Sequence, residues 1–179
     1  MSVKGIIFDY GFTLFQFDNP SVERYYECFK NGLLKSIELL KEKHIWNDKI
    51  TNDLFLKRFS KKREEYWRES RKSRKEYPTS LIYREVLQTL QEENLINKID
   101  HLDEETFEEL AEIYHSFEQK EWKPFPQTKE TIEKLSMHED IKLAVLSNHP
   151  NQRMIENSLK EYELFKYFDA VVTSAEFGK

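Results

Sequence analysis

The residues with the clearest chemical potential lie near the N-terminus, in the stretch GIIFDYGFTLF (residues 5–15). There an apolar run ends in Asp9, and Gly11 stands two places later. A carboxylate held at the end of a strand can act as a nucleophile and form a covalent intermediate. It can equally be the polar group that ends a strand and begins a turn. The stretch taken alone leaves both interpretations open.

Three short apolar segments predict the strands that would position Asp9. Residues 3–8, 141–147 and 170–174 each contain consecutive aliphatic or aromatic side chains, as in strands that are covered on both faces. Long helical segments separate the three strands, and this alternation is typical of a parallel α/β sheet.

The residues between the first and second predicted strands favour a helical bundle, because apolar side chains recur there at steps of three or four. The predicted helices begin at Asn19–Pro20, span about 50–75 and about 80–93, and follow Asp103. The prolines of EWKPFPQT (residues 121–128) end the bundle, and Thr128 is expected to cap the next helix. The sequence therefore predicts a discontinuous core, residues 1–16 and 121–179, and an inserted helical cap, residues 17–120.

Polar residues follow each of the predicted strands. Ser147 and Asn148 end the second strand, and Thr173 and Ser174 end the third, as Asp9 ends the first. Ligands of open α/β sheets bind in the crevice beyond the carboxyl ends of the strands. We therefore expect these side chains to converge at one edge of the sheet, beneath a helical cap that can exclude water.

Several segments together resemble the haloacid dehalogenase-like hydrolases. IIFDYGFTLF resembles the first motif of that superfamily, in which a strand ends in a nucleophilic Asp (here Asp9) and a Thr follows four places on (here Thr13). IKLAVLSN is similar to the second motif and ends in Ser147, and LFKYFDAVVTSAEFG resembles the stretch that leads to the third motif. The order and spacing of the segments make the resemblance specific.

The resemblance implies a fold and a chemistry. The fold is a three-layer, Rossmann-like parallel α/β core, incomplete here, with an inserted all-helical cap. Asp9 would attack phosphorus in a small phosphorylated metabolite and form an aspartyl-phosphate, which water would hydrolyse. Mg²⁺ would be bound by the Asp9 side chain and the Gly11 carbonyl oxygen. Ser147 and backbone amides near Tyr10, Gly11 and Asn148 would bind the phosphoryl oxygens.

The sequence departs from the superfamily pattern at Gly11. Phosphatases of the superfamily carry a second Asp there, which serves as general acid and base. His149 is one conceivable substitute, although an ordinary loop histidine is the simpler interpretation. Relatives that cleave carbon–halogen or carbon–phosphorus bonds also lack the second Asp, so a dehalogenase-like or phosphonatase-like hydrolase is the alternative. His44, His101, His115 and His138 show no metal-ligand spacing and receive no predicted role.

The C-terminal part of the pattern is incomplete. The superfamily's essential lysine would come shortly after SAEFG, where only Lys179 is available, and the acidic cluster of the fourth motif does not occur in the sequence. Without further strands, the first strand would form an exposed edge. We therefore expect a fragment of a longer chain, or a partner such as a second copy that covers this edge. A catalytically silent binding module is a third interpretation.

Composition limits the other function classes. The chain has 179 residues and a formal net charge of −5, which disfavours a general nucleic-acid binder. Cys28, the single cysteine, excludes an intrachain disulfide and is predicted to be a small buried side chain. No segment is typical of a membrane span or a signal peptide. These features predict a cytoplasmic protein that does not bind membranes.

One local exception to the acidic composition is the basic run of residues 57–75, which contains ten Lys or Arg and three Glu. The simplest interpretation is a solvated helix face stabilised by pairs of opposite charge one turn apart. A second interpretation is a face that attracts an anionic substrate. A third is a nucleic-acid contact, with Tyr66 and Trp67 available for stacking.

Overall fold

A computed structural model describes residues 3–177. The strands are β1 (Gly5–Phe8), β2 (Phe15–Phe17), β3 (Trp122–Pro124), β4 (Lys142–Ser147) and β5 (Ala170–Thr173). The helices are α1 (Val22–Glu42), α2 (Asn52–Ser73), α3 (Thr79–Glu92), α4 (Glu104–Gln119), α5 (Thr128–Ser136) and α6 (Gln152–Glu161), with a short 3₁₀ turn at Phe165–Tyr167. Lys179, the candidate motif lysine, lies outside the described residues.

The three predicted strands form one parallel sheet, which confirms the predicted fold class. Their order is β1-β4-β5, with Phe8 opposite Val145 and Ser147 opposite Thr173. All three strands therefore point their carboxyl ends toward the same edge of the sheet, where Asp9 and Ser147 lie.

One face of this sheet carries the core of the α/β part. Alternate strand residues pack against the apolar sides of α5 and α6 in a single cluster. Its members include Ile6, Phe8, Leu143, Val145 and Val171 from the sheet, and Ile132, Met154, Ile155 and Leu159 from the helices. Cys28 is buried in the same cluster, as predicted.

The opposite face of the sheet is exposed among the described residues. Ile7 is 68% exposed and Leu146 is 50% exposed. β1 is also an edge strand, because β4 is its only partner in the sheet among residues 3–177. Parallel sheets are normally covered on both faces. Among the described residues, nothing covers this apolar face.

The cap is a bundle of α1 to α4 with its own hydrophobic cluster. Phe55, Phe59, Tyr83 and Leu110 are among its fully buried members. α1 and α4 cross at Gly32, where an added Cβ would lie 2.0 Å from the Tyr114 carbonyl oxygen. Only glycine permits this close approach of two helix backbones. No helix within residues 3–177 combines the length and the apolar character needed to cross a bilayer.

A two-stranded antiparallel ribbon joins the two parts of the molecule. β2 precedes the cap and β3 follows it, and the two pair with Phe17 opposite Trp122. This ribbon was not predicted from the sequence. Each strand has only three residues, so neither contains enough alternation to be identified locally.

Two predicted helix starts are corrected by the structure. Ser21, not Asn19, caps α1, since its side chain accepts a hydrogen bond from the Arg24 amide and Asn19 has a φ of 46°. Thr128 is the first residue of α5 and does not cap it, because its hydroxyl donates to the Leu14 carbonyl oxygen at 2.8 Å. In both cases the surrounding structure outweighs the preference of Asn or Thr for the N-cap position.

The bare sheet face predicts a surface that binds apolar dyes and self-associates. The substitution Ile7→Lys should lower ANS fluorescence and self-association, and it should change the free energy of unfolding by less than about 0.5 kcal/mol. The matched control is Ile6→Lys, on the packed face of the same strand, which should cost several-fold more stability because it buries a charge. ANS fluorescence, analytical ultracentrifugation and urea unfolding measure these effects. Unchanged dye binding by Ile7→Lys would contradict the assignment.

Candidate active site

Asp9 is placed by β1 at the edge where the parallel strands end. It directly follows the last residue of the strand and is exposed. One carboxylate oxygen, Oδ1, accepts a hydrogen bond from the Tyr10 amide at 2.8 Å. This bond orients the carboxylate and leaves Oδ2 available to a ligand. In this structure the Tyr10 amide is thus engaged by Asp9.

Ser147 and Thr173 contribute hydroxyl groups at the same edge. They are direct neighbours in the β4–β5 register, and both are buried. Among residues 3–177, the Thr173 hydroxyl has no hydrogen-bond partner, and no side chain or backbone group bonds to the Ser147 hydroxyl. An unpaired buried hydroxyl costs free energy that a ligand oxygen could recover. Asn148 follows and is exposed.

The loop after Asp9 is a tight turn. The Tyr10 carbonyl oxygen accepts from the amides of both Leu14 and Phe15 at 3.0 Å, and the Phe12 amide donates to the Phe15 carbonyl at 2.6 Å. Phe12 adopts a left-handed backbone with a φ of 59°. The carbonyl oxygen of Gly11 takes part in none of these bonds. Thr13 is exposed in the turn.

The indole of Trp122 occupies the space beside Gly11. A Cβ built on Gly11 would lie 3.2 Å from Cη2 of Trp122. The indole is held by edge-on contacts with Tyr10, Phe12 and Phe17. A side chain at residue 11 would therefore require the packed indole to shift by a few tenths of an ångström. The glycine at this position is consistent with that tight contact.

A cluster of three buried polar side chains lies on the other side of Trp122. We call His115, Glu118 and His149 the His–Glu–His cluster. The Trp122 Nε1–H donates to Oε1 of Glu118 at 3.4 Å, and His115 Nδ1 lies 2.8 Å from Oε2. His149 Nε2 lies 3.6 Å from Oε1. The cluster joins α4 of the cap to the loop that follows β4.

The His–Glu–His cluster was missed in the sequence. No role was predicted for His115, yet its donor atom lies within 4.8 Å of those of Glu118 and His149. The local signal was the separation of His115 and Glu118 by three positions on one helix, which places them on one face. His149 comes from a distant part of the sequence, so its position needed the fold.

The environment of the cluster shifts three pKa values. Burial opposes the charge on Glu118, but hydrogen bonds from His115 and His149 outweigh it and hold its pKa well below the usual range. Burial likewise opposes the charge on His149, yet the Glu118 carboxylate raises its pKa above the ordinary 6.5. Burial dominates at His115 and lowers its pKa. The neighbouring carboxylate thus favours the charged form of His149, whereas burial favours the neutral form of His115.

Further contacts hold the cap above the carboxyl edge of the sheet. Arg153 of α6 binds both oxygens of Glu105 at 2.7 Å and also Glu112 at 2.9 Å, both on α4. The Thr79 amide donates to the Pro150 carbonyl at 3.0 Å. Together with the cluster, these bonds fix the cap on the loop that carries Ser147 and Asn148.

The cap contains a cavity of about 730 Å³ that reaches the loop after β4. We call it the cap cavity; its wall includes the aromatic residues Phe29, Tyr66, Trp67 and Tyr77, with Pro150 from the core. Arg63 also lines it, donates to the Tyr114 hydroxyl at 2.8 Å and lies over the Phe29 ring. No carboxylate among residues 3–177 lies within 4.0 Å of the Arg63 guanidinium.

Some other cations of the basic run are paired. Lys62 and Arg68 bridge to Glu65 and Glu64 on the same helix, and Arg58 bridges to Glu93 of the cap. These pairs match the interpretation as a solvated helix face, whereas Arg63 is a basic residue of the run that lines the cap cavity.

The contact between Gly11 and Trp122 predicts that a side chain at residue 11 is destabilising. Gly11→Ala should cost about 1–2 kcal/mol of unfolding free energy, because the indole cannot yield without losing its ring contacts. Adding Trp122→Leu should make the alanine nearly neutral, so the two substitutions should be non-additive. Urea unfolding of the four variants measures this. Full additivity would show that the indole is not the obstacle.

The ion pair of His149 and Glu118 predicts a pH-dependent contribution to stability. A raised pKa in the folded state stabilises the fold at pH values below the unfolded pKa, and this contribution is lost as pH rises through the folded value. In the presence of a chelator, His149→Gln should cost about 1–3 kcal/mol near pH 6. The cost should shrink as the pH rises above 6.5. His138→Gln, at an exposed histidine, is the control. A pH-independent difference between wild type and His149→Gln would contradict the ion pair.

Similar structures have been solved for three hydrolase-like proteins. A 2-haloacid dehalogenase from Pseudomonas syringae pv. Tomato is 16% identical, with a TM-score of 0.50 and with 99% of this chain and 66% of that chain covered. A haloacid dehalogenase-like hydrolase from Streptococcus pneumoniae is 17% identical, with a TM-score of 0.41 and coverage of 97% and 62%. A Haemophilus somnus protein described as a predicted phosphoglycolate phosphatase is 14% identical, with a TM-score of 0.42 and coverage of 99% and 65%.

These structures are longer than the chain, which spans 62 to 66% of their length. At such identities the likeness to the dehalogenase shows the fold alone. No curated protein sequence matches. The family model for haloacid dehalogenase-like hydrolases matches residues 49–179, which is most of the chain. Together with the parallel sheet and the cap, this match shows that the chain belongs to the haloacid dehalogenase-like hydrolases.

Proposed function

We propose that the protein hydrolyses small phosphorylated molecules through a covalent intermediate on Asp9. The observation that supports this most directly is the arrangement at the sheet edge. An oriented carboxylate ends β1, and the hydroxyls of Ser147 and Thr173 end the neighbouring strands; that of Thr173 is buried without a partner among residues 3–177. Hydroxyls that lack protein partners can donate to the oxygens of a bound phosphoryl group.

The hydrogen bond from the Tyr10 amide supports separate tasks for the two oxygens of Asp9. Oδ1 is held by the Tyr10 amide, so Oδ2 is the nucleophile. Oδ2 forms a bond to phosphorus as the bond to the leaving-group oxygen breaks, and that oxygen departs with the electron pair. Water then attacks the aspartyl-phosphate and releases phosphate and the free carboxylate. The Ser147 hydroxyl and the backbone amide of Asn148 would donate hydrogen bonds to the phosphoryl oxygens during both steps.

The residues present fit a magnesium ion. Mg²⁺ prefers hard oxygen ligands and is usually held by one or two protein groups, a substrate phosphate and several waters. The exposed Asp9 carboxylate and the Gly11 carbonyl oxygen, which is outside the turn's hydrogen bonds, are two such ligands. When bound, the ion would neutralise phosphoryl charge so that two anions can approach each other.

The absence of a carboxylate at residue 11 narrows the proposed substrates. An acid there would protonate the departing oxygen, and proton donation of this kind is worth roughly 10² to 10⁴ in rate. Gly11 cannot donate a proton from a side chain, and the Trp122 indole lies beside it. The site should therefore favour phosphates with leaving groups that depart as stable anions, such as aryl or acyl phosphates.

The contact between Gly11 and Trp122 also supports a second candidate reaction, a dehalogenase-like displacement at carbon. Halide leaves without a proton, so Asp9 could attack a carbon–halogen bond with no acid at residue 11. This reaction would not need a metal. The cap cavity, with its aromatic wall and Arg63, would hold the body of either kind of substrate.

The exposed surface of β1 suggests that another segment or chain covers this strand. We propose that a further segment or a second copy of the chain covers Ile7 and the edge of β1 in the assembled protein. Aspartate chemistry at Asp9 would then proceed beside that covering element.

Substitution of the nucleophile gives the most direct functional prediction. With Mg²⁺ and 4-nitrophenyl phosphate, Asp9→Asn should lower turnover by roughly 10³-fold or more, because an amide oxygen cannot form the intermediate. Asp18→Asn, at an exposed aspartate outside the site, is the matched control and should keep full activity. Alkyl phosphates should react far more slowly than aryl phosphates with the wild-type chain.

Three outcomes separate the candidates. Full phosphatase activity in Asp9→Asn would rule out the proposal. Release of halide from a 2-haloacid in the presence of a chelator would favour the second candidate. Absence of both activities, with no phosphate-dependent Mg²⁺ binding by calorimetry, would identify a silent binding module.

A further inference from the structure

The His–Glu–His cluster has no task in the proposed reaction, yet it is built from side chains that bind metals. Its side chains are 2%, 6% and 12% exposed for His115, Glu118 and His149. Burying a carboxylate and two imidazoles is costly unless each is paired. Trp122 and Arg153 already pack the seam between cap and core, so contact between the two parts does not by itself require this cluster.

The spacing of the donor atoms matches a small coordination sphere. A tetrahedral site with bonds of about 2.1 Å places its ligand atoms roughly 3.4 Å apart. His115 Nδ1 is 2.8 Å from one Glu118 oxygen, and His149 Nε2 is 3.6 Å from the other. All three donors lie within 4.8 Å of one another. Shifts of a few tenths of an ångström to about 1 Å would complete the sphere.

Both imidazoles are oriented by their second nitrogen, as metal-binding histidines usually are. His115 Nε2 lies 2.9 Å from the Thr79 hydroxyl, which can accept a proton from it or donate one to it. His149 Nδ1 lies 2.8 Å from the Asn151 carbonyl oxygen and 3.1 Å from the Asn151 amide, so the backbone of Asn151 holds this nitrogen. Nε2 of His149 and Nδ1 of His115 are thus the nitrogens that face Glu118.

The cap cavity borders the cluster on the side of His115. His115 and Thr79 form part of its wall, and Pro150, next to His149, forms another part. A water molecule or a ligand atom could therefore reach an ion held by the three side chains. Three protein ligands with one exchangeable position is the usual arrangement of a reactive zinc site.

We propose that His115, Glu118 and His149 form a binding site for a divalent transition-metal ion of the zinc class. Two imidazole nitrogens and one carboxylate suit Zn²⁺ or Co²⁺ and not Mg²⁺, which prefers oxygen ligands. The ion would link α4 of the cap to the loop that follows β4, and so tie the cap to the strand end that carries Ser147. This site is separate from the proposed Mg²⁺ ligands at Asp9 and Gly11, and it does not depend on the proposed function.

The test is a titration of chelator-treated protein with Co²⁺ and Zn²⁺. Four-coordinate Co²⁺ gives intense visible absorption bands, and Zn²⁺ should abolish them by competition. Wild type and Asp9→Asn should both show one equivalent of Co²⁺ with these bands. Glu118→Gln and His149→Ala should weaken Zn²⁺ binding by roughly 100-fold or more, and His138→Ala should bind like wild type. Zn²⁺ should also raise the melting temperature of the wild-type chain.

The outcomes are decisive even if a cluster variant fails to fold, because the wild-type titration stands alone. Wild-type protein that shows no four-coordinate Co²⁺ spectrum would overturn the proposal, and the cluster would then be an ion pair only. Binding that is lost in Asp9→Asn but kept in His149→Ala would also overturn it, since the ion would then occupy the Asp9 site. Far-ultraviolet circular dichroism of each variant identifies those that are folded.

Discussion

A buried carboxylate has to be paired, and Glu118 is a carboxylate that is only 5% exposed. Its partners come from three places: His115 one turn earlier on α4, Trp122 on the returning strand β3, and His149 in the core. These three bonds fix the last turn of the cap against the core. Because leaving a buried charge unpaired costs several kcal/mol, the cap has one favourable position, and the remaining seam contacts follow from it.

The same pairing explains the most unusual feature of the site. Glu118 accepts from the Trp122 indole, and the far end of that indole lies against Gly11. The space used elsewhere in the family for an acid and base is thus filled by a ring that the seam holds in place. In the proposed reaction, this contact at the cap–core junction would favour leaving groups that need little protonation. Sequence alone showed the glycine but not the indole that lies against it.

Local patterns in the sequence predicted what depends on local structure. The three strands, the four cap helices and the Asp103 cap of α4 follow from apolar periodicity and capping residues, and all are observed. The placement of Asp9 and Ser147 at one edge follows from the parallel sheet. The β2–β3 ribbon, the Trp122 contact and the His–Glu–His cluster depend on segments far apart in the chain. Each depends on packing between cap and core, and such long-range contacts cannot be identified from a short segment of sequence.

The central claim is that Asp9 becomes covalently modified during turnover. The most direct measurement is acid quenching of a single turnover with an aryl phosphate and Mg²⁺, followed by peptide mass spectrometry. The account predicts a phosphoryl group on the peptide that contains Asp9, and its absence in Asp9→Asn. Turnover of the substrate with no modified peptide, or with the modification on another residue, would contradict it.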